Sequence, residues 1–177
     1  FQNASSQAAG EVEIQPLSTP LPEYFGRYRR VSFIGRGGFG EVWRAFDPDL
    51  ECYVAVKTPR TDRKFPKSVI DQFLEEGRRL AELRGCRGVV TVYDTGTTED
   101  DFSYIVSELL EGPSLGTLIR DESLSCEQST RLIIEIAEAL HGAHLKGVIH
   151  RDIKPGNILL TKAGRPIIVD FGLAVTE

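Results

Sequence analysis

The sequence predicts an α+β fold, in which an antiparallel unit of five strands and one helix precedes a mainly helical part. Two observations support the first part. Short segments rich in β-branched and aromatic residues alternate with glycine-rich or polar turns, and one amphipathic helical segment at 67–84 interrupts them. A third observation, a long helical segment at 125–146, supports the second part. The break Gly112-Pro113-Ser114 follows the last strand, so we expect the boundary near Leu110.

Composition narrows the class of protein. The 177 residues are 41% hydrophobic, enough for one sizeable core or two small ones. A net charge of −5 gives no reason to expect nucleic acid or an anionic membrane as a partner. The sequence contains no run of 18 apolar residues, so no membrane-spanning segment is predicted in it. Cys52, Cys86 and Cys126 show neither zinc nor disulfide spacing, which favours a reducing, cytoplasmic compartment.

The first 23 residues are predicted to form a flexible flanking arm. They are rich in Gln, Ala and Ser, lack an apolar period and are punctuated by Pro16, Pro20 and Pro22. The chain has no methionine and begins with Phe1. We therefore expect a piece of a longer polypeptide, whose other parts could carry a membrane anchor or regulatory domains.

A glycine-rich turn at Gly35–Gly40 joins the strand predicted at 28–34 to the one at 41–46. Glycines let backbone N–H groups approach phosphates closely. A dinucleotide-binding fold would continue as a helix, with an acidic residue about 20 positions on. Here Val42, Trp43 and Phe46 favour a strand, hence a hairpin. A plain glycine hairpin with no ligand remains the alternative.

The third predicted strand, Tyr53–Lys57, places Tyr53, Ala55 and Lys57 on one face by its alternation. Lys57 could reach a phosphate held by the glycine turn; an edge lysine with its amine in solvent is the alternative. On the helix at 67–84, Glu76 falls within an apolar stripe formed by Val69, Phe73, Leu80 and Leu83. A carboxylate facing a core needs a cation. We expect Lys57 to supply this cation; pairing of Glu76 with some other group is the alternative. Gly85 is expected to end the helix.

Two more strands are predicted at 89–93 and 102–108, joined by a polar turn. In the long helical segment, Ser125 and Gln128 match a capping box. Segments 157–160 and 166–169 are predicted to form a hairpin.

The polar loop His150–Asn157 lies between two short apolar runs, and a rigidly held polar loop is where catalytic groups tend to lie. It places Asp152, Lys154 and Asn157 within six residues. Asp170-Phe171-Gly172 follows on the end of another apolar run.

With these motifs in order, the chain resembles the eukaryotic-like protein kinases of serine/threonine type, in a bacterial style, from about Tyr28 onward. The matching segments are the glycine turn with Glu41 and Val42, Val54-Ala55-Val56-Lys57, His150-Arg151-Asp152 with Asn157, and Asp170-Phe171-Gly172. The resemblance implies a protein-kinase-like fold, with an ATP-binding N-lobe at 24–110 and the first part of a C-lobe at 111–177.

The resemblance also implies roles for single residues. ATP and Mg²⁺ would be the cofactors, and protein Ser/Thr hydroxyls the acceptors. The phosphates would lie under Gly35, Arg36, Gly37, Gly38, Phe39 and Gly40. Lys57, oriented by Glu76, would hold the α- and β-phosphates, and Asn157 and Asp170 would bind Mg²⁺. Asp152 would act on the attacking hydroxyl and Lys154 on the transferred phosphate.

For adenine, the resemblance implies a sandwich of Ile34, Val42, Ala55 and Leu159, with hydrogen bonds from the backbone at Glu108 and Leu110. Ser107 stands where the family usually has a larger residue, so we predict an enlarged cavity behind the adenine pocket.

The chain departs from the family pattern at its end. It stops at Glu177, so the activation loop, the A-P-E segment and the later helices that normally follow are not in it. Two hypotheses remain: an active serine/threonine kinase of which this chain is a fragment, or a non-catalytic ATP-binding pseudokinase or scaffold module. Because no catalytic position is substituted, the first is favoured, although we expect the fragment alone to be nearly inactive. The hairpin after Gly40 and the positive charge of Lys57 disfavour a dinucleotide-dependent oxidoreductase.

Overall fold

A computed structural model describes residues 21–171 of the chain. Its main feature is a six-stranded antiparallel sheet in the order β1-β2-β3-β4-β6-β5. The strands are β1 (Tyr24–Phe25), β2 (Tyr28–Arg36), β3 (Gly40–Asp47), β4 (Cys52–Pro59), β5 (Val92–Thr97) and β6 (Ser103–Glu108). Most of the predicted flanking arm, and Gly172, lie outside the described residues.

The prediction of five strands in this part of the chain is wrong by one, because β1 was missed. It is two residues long and pairs with β2 through a tight turn at Gly26, where φ is +59°. The strand predicted at 89–93 is also displaced. Val89 and Val90 pair with Ile168 in the helical part, and β5 begins only at Val92.

Helix α1 (Lys67–Ala81) packs across β5 and β6. Gly77 permits the close approach, since a Cβ there would lie 2.8 Å from the Thr95 side chain and 2.9 Å from that of Ile105. The helix ends earlier than predicted. Glu82, Leu83 and Arg84 donate to carbonyls three residues back, so the last turn tightens before Gly85, whose φ is +85°.

The helical part contains α2 (Leu115–Arg120), which the sequence did not predict, and α3 (Cys126–Leu145). Ser114, interpreted from the sequence as part of a break, is the N-cap of α2. The predicted capping box of Ser125 and Gln128 is confirmed at the start of α3. The predicted hairpin is confirmed as β7 (Ile158–Leu160) and β8 (Pro166–Ile168).

Two apolar clusters stabilise this arrangement. The larger includes Phe73 of α1, Ile105 of β6, Leu132 of α3 and Ile168 of β8, so it joins the sheet to the helical part. The smaller cluster includes Phe25, Tyr28 and Val54. Because the larger core has residues from both sides of Leu110, the division into two lobes remains a prediction. No helix within residues 21–171 is long and apolar enough to cross a membrane.

Candidate active site

A cavity of about 850 Å³ lies between the glycine turn and the loop His150–Asn157. This volume is in the range of small-molecule and cofactor sites. Of the predicted site residues, all but Glu76 line it: Ile34, Gly35, Arg36, Gly37, Gly38, Phe39, Gly40, Val42, Ala55, Lys57, Ser107, Glu108, Leu110, Asp152, Lys154, Asn157, Leu159 and Asp170. Groups separated by more than a hundred residues in the sequence therefore share one cleft.

The glycine turn forms the edge of this cavity between β2 and β3. Its backbone closes through a 2.8 Å hydrogen bond from the Gly37 N–H to the Gly40 carbonyl. Gly40 is required by close packing, since a Cβ there would lie 2.7 Å from the carbonyl oxygen of Thr58. The turn thus leaves backbone near the cavity with little side-chain obstruction.

The predicted alternation in β4 is confirmed. Val54 and Val56 are fully buried on one face, whereas Ala55 and Lys57 line the cavity on the other. The Lys57 Nζ lies 2.6 Å from Oδ1 of Asp170, and the lysine side chain is 18% exposed. A largely buried ammonium therefore has its counter-charge at the end of the segment that follows β8.

The predicted ion pair between Glu76 and Lys57 is wrong for this structure. Among residues 21–171, no Glu76 oxygen lies within 4.0 Å of the Lys57 amine, which is bound by Asp170 instead. Glu76 is half-buried, and this burial raises the pKa of its carboxyl; Gln72 and the charge of Arg151 oppose the rise. The reasoning from core burial failed because Asp170 offered Lys57 a nearer carboxylate, and because Glu76 keeps partial contact with solvent.

Asp152 is held by two partners from its own loop. The Lys154 Nζ lies 2.6 Å from Oδ2 of Asp152, and Nδ2 of Asn157 donates to the same oxygen at 3.1 Å. Asn157 also donates to the backbone carbonyl of Asp152 at 2.9 Å. The Lys154 ammonium lowers the pKa of the Asp152 carboxyl below its ordinary value, so this group is an ionised acceptor at neutral pH.

His150 links this loop to the segment that carries Asp170. It is 2% exposed, and its Nδ1 accepts the backbone N–H of Asp152 at 3.2 Å. The proton of the neutral ring is therefore on Nε2, which donates to the Val169 carbonyl at 2.9 Å. The ring also packs on Phe171 with centroids 4.5 Å apart. These contacts fix the distance between the two polar segments.

Two residues of the site have left-handed backbone conformations. The φ angles are +63° at Arg151 and +59° at Asp170, a region that non-glycine residues rarely occupy. Such residues cost about 1–3 kcal/mol each and persist where the surroundings determine them. Glu51, Asp101 and Glu122, in connections outside the site, share this conformation, so two of the five described instances lie at the candidate site.

The opposite end of the cavity is apolar and is bounded by the connection after β6. The Glu108 N–H donates to the Thr91 carbonyl at 2.9 Å, and its carboxylate accepts the Thr91 N–H at 2.8 Å. The Ser107 hydroxyl has only a long contact, 3.5 Å, to the carbonyl of Glu108. The cavity is also lined by eleven residues that were not among the predicted site residues: Arg63, Phe65, Pro66, Val69, Leu80, Val90, Val92, Ile105, Leu109, Gly156 and Val169. Ser107 lines this cavity, and the enlarged space predicted behind it stays a prediction.

The side-chain oxygens of Asp170 and Asn157 are of the kind that Mg²⁺ prefers as ligands. Within residues 21–171, no three His, Cys, Asp or Glu side chains come together as a metal centre. Mg²⁺ is usually held by one or two carboxylates together with substrate phosphates and water. Because Asn157 uses its amide nitrogen to bind Asp152, its amide oxygen remains as a ligand.

Comparison with known proteins identifies the family. The sequence model of the protein kinase domain matches residues 28–176. The chain is 40% identical over 148 residues to the serine/threonine-protein kinase PknK of Mycobacterium tuberculosis, covering 83% of this chain and 13% of that protein. It is 38% identical over 154 residues to PknA of the same species, covering 84% of this chain and 36% of PknA. The chain therefore spans a minor part of these relatives.

Solved structures agree with this match. The apo form of PpkA-294 superimposes with a TM-score of 0.77 at 26% identity, covering 89% of this chain and 63% of that chain. The kinase domain of M. tuberculosis PknI gives 0.73 at 25% identity, with coverage of 85% and 60%. The predicted kinase-like α+β fold and the bacterial serine/threonine type are both confirmed, and the chain belongs to the protein kinase domain family.

Proposed function

We propose that the protein containing this chain is an ATP-dependent serine/threonine protein kinase. One observation carries the proposal: the glycine turn, Lys57, Asp152, Asn157 and Asp170 all line a single cavity. Phosphoryl transfer requires aligned groups and neutralised phosphate charge rather than covalent chemistry from the protein. These residues are of the types that such a reaction needs.

ATP binds, in this proposal, with its base at the apolar end of the cavity. Ile34, Val42, Ala55 and Leu159 contact the adenine faces, and the backbone at Glu108 and Leu110 binds its edge. The phosphates extend beneath the glycine turn towards Lys57. The 2.6 Å contact between Lys57 and Asp170 supports this orientation, because it brings a phosphate-binding cation beside a metal-binding carboxylate.

Asp170 and Asn157 would hold Mg²⁺, which neutralises charge on the phosphate oxygens when it is bound. The acceptor hydroxyl lies beside Asp152 in this proposal. Its oxygen forms a bond to the γ-phosphorus as the bond from that phosphorus to the β,γ-bridging oxygen breaks, leaving ADP. Asp152 accepts or steers the hydroxyl proton, and Lys154 contributes positive charge beside the transferred phosphate.

The acceptors are proposed to be Ser or Thr residues of other proteins. The names of the relatives, serine/threonine-protein kinases, support this substrate class. The Lys154 ammonium lies beside Asp152, where the transferred phosphate would be. We also propose a cytoplasmic location for this segment. Regulatory domains or an anchor elsewhere in the protein remain predictions.

A second candidate function is a non-catalytic ATP-binding module. The observation that favours it is the position of Glu76, which does not pair with Lys57. In an assembled kinase this ion pair is in place. The kinase proposal requires α1 to move so that Glu76 reaches Lys57, whereas the non-catalytic module requires no such movement.

A transfer assay separates the two candidates. The full-length protein is incubated with γ-labelled ATP, Mg²⁺ and a mixture of acceptor proteins, and phosphorylated residues are identified by mass spectrometry. The kinase proposal predicts phosphoserine and phosphothreonine that disappear in the Lys57→Ala variant. ATP binding without any transfer would support the non-catalytic module. Incorporation that is equal in the wild type and the variant would contradict the role of Lys57.

A further inference from the structure

The connection between β4 and α1, residues 60–66, lies directly against the glycine turn. It contacts the tip of the turn through its backbone. The Arg60 N–H donates to the Phe39 carbonyl at 3.0 Å, one residue before the turn closes at Gly40. A glycine-rich turn has little side-chain packing of its own, so an external backbone contact limits its movement.

An aromatic contact fixes the same tip. The Phe39 ring lies 4.6 Å from the Phe65 ring and 5.5 Å from the Phe73 ring, measured between centroids. Phe39 is half-buried and packs against the larger core. Its side chain is therefore held between the β4–α1 connection and α1.

A chain of ion pairs fixes the base of the turn. The Glu41 side chain is 2% exposed, and its Oε1 lies 2.6 Å from Nη2 of Arg36 on the opposite strand. Nη1 of Arg36 lies 3.6 Å from Oδ2 of Asp62. Asp62 in turn accepts the Nε–H of Arg60 at 2.8 Å on its other oxygen. Burial of Glu41 makes its cation necessary, so Arg36 is fixed and Asp62 is held beside it.

From these contacts we infer that the β4–α1 connection positions the glycine turn over the phosphates, with Asp62 and Phe65 as positioning residues. The inference rests on the proposed function in that it takes the turn as the phosphate-binding element. Asp62 is not among the residues that line the cavity, whereas Phe65 lines it together with Phe39. In this account the Phe65 ring acts on the turn through its contact with Phe39. Each of the two residues keeps the backbone N–H groups of the turn in the position where the phosphates bind. This lowers the entropic cost of ordering the turn when ATP binds.

The same contacts couple the glycine turn to α1. Phe73 lies on α1 three residues before Glu76, on the helix that must move for Glu76 to approach Lys57. A shift of α1 therefore moves one of the two rings that hold Phe39. The position of the turn and the approach of Glu76 to Lys57 are linked through this contact.

The test compares ligands with and without phosphates. Dissociation constants for Mg·ATP and for adenosine are measured by calorimetry on the full-length protein and on the Asp62→Asn and Phe65→Ala variants. We expect ATP to bind about three- to tenfold more weakly to each variant, the usual effect of losing one modest contact. Adenosine affinity stays within about 1.5-fold, because adenosine has no phosphates for the turn to hold. The conservative Phe65→Tyr change keeps the ring and restores ATP affinity.

Two matched substitutions serve as controls. Asp49→Asn removes an exposed carboxylate that pairs with Arg27 at 3.3 Å, and Phe102→Ala removes a half-buried ring in the β5–β6 turn. Both should leave ATP and adenosine affinity unchanged. Asp62 is 41% exposed, so Asp62→Asn tests the inference even if Phe65→Ala fails to fold.

Parallel loss of ATP and adenosine affinity would overturn the inference, since it would indicate a general structural role. Unchanged ATP affinity in Asp62→Asn and in a folded Phe65→Ala variant would also overturn it. A different result would contradict the proposed function: a wild-type protein that does not bind ATP. The inference about Asp62 and Phe65 would instead fail while the wild-type protein still binds ATP.

Discussion

The enlarged space, or recess, predicted behind Ser107 allows a test in which one side chain decides which ligands fit. Ser107 lines the cavity together with the apolar residues Leu80, Val90, Val92 and Ile105, which are candidates to form the space behind it. A Ser107→Phe substitution places a ring in this space. ATP, which does not need the recess, should bind to both forms with similar affinity.

The expected effect follows from the apolar surface that the recess can bury. An aryl substituent that buries about 100 Å² there gains about 2.5 kcal/mol at about 25 cal/mol per Å². This corresponds to about 70-fold in dissociation constant, and steric exclusion from the Ser107→Phe variant adds to the loss. We therefore expect a difference of at least about 50-fold between the two forms.

The assay uses two ATP-competitive compounds that differ only in a bulky aryl group directed at Ser107. The parent compound should bind the wild type and the Ser107→Phe variant within about threefold, which controls for folding. The bulky compound should bind only the wild type tightly. Equal affinity of the bulky compound for both forms would refute the assignment of the recess.

Three further predictions concern stability and pH. Asp47 is buried and accepts hydrogen bonds from an arginine side chain and two backbone N–H groups, so Asp47→Asn should lower the unfolding free energy by about 1–3 kcal/mol at pH 7 in urea titrations. These bonds lower its pKa below the ordinary 3.8, so the difference between wild type and variant is full above that pH and shrinks as the pH falls through the folded-state pKa. In Gly112→Ala the added Cβ would clash with the carbonyl oxygen of Leu160, so the unfolding free energy measured by the same titration should fall by about 1–3 kcal/mol. Lys154→Met removes the ammonium that lowers the pKa of Asp152, so the acid limb of the pH–rate profile should move to higher pH.

Matched changes control these three predictions. Asp49→Asn removes an exposed carboxylate near Asp47, and Gly142→Ala adds a Cβ in α3 that contacts nothing within 4 Å; both should be nearly neutral. A stability difference for Asp47→Asn that persists unchanged to pH 2 would contradict the pKa argument. Tolerance of Gly112→Ala equal to that of Gly142→Ala would contradict the packing. An acid limb that stays in place would show that Lys154 does not set the pKa of Asp152.

The sequence was sufficient where a pattern reports a local cause. Alternation in 53–57 identified the face of β4 that carries Lys57, because successive residues of a strand point to opposite sides. The capping box at Ser125 located the start of α3, because its two hydrogen bonds are made within four residues. Polar residues between apolar segments identified the loop around Asp152.

It was insufficient where distant segments compete for one partner. Glu76 and Asp170 were both candidates for Lys57, and the distance that decided between them depends on how α1 packs on the sheet. Val89 and Val90 suggested a strand of the main sheet, but they pair with β8 instead. The Val90 N–H donates to the carbonyl of Ile168, 78 residues further along the chain. The contact of Phe39 with Phe65 had no sequence signal, since its members lie in two separate connections.

The most direct test of the account measures ATP affinity and phosphate transfer together for Asp152→Ala in the full-length protein. Asp152 is proposed to act on the acceptor hydroxyl and not to bind ATP. The account predicts ATP affinity within about threefold of the wild type and a transfer rate reduced by about 10²- to 10⁴-fold, the usual contribution of a positioned general base. A variant that transfers phosphate at the wild-type rate, with equal ATP affinity, would contradict the central claim.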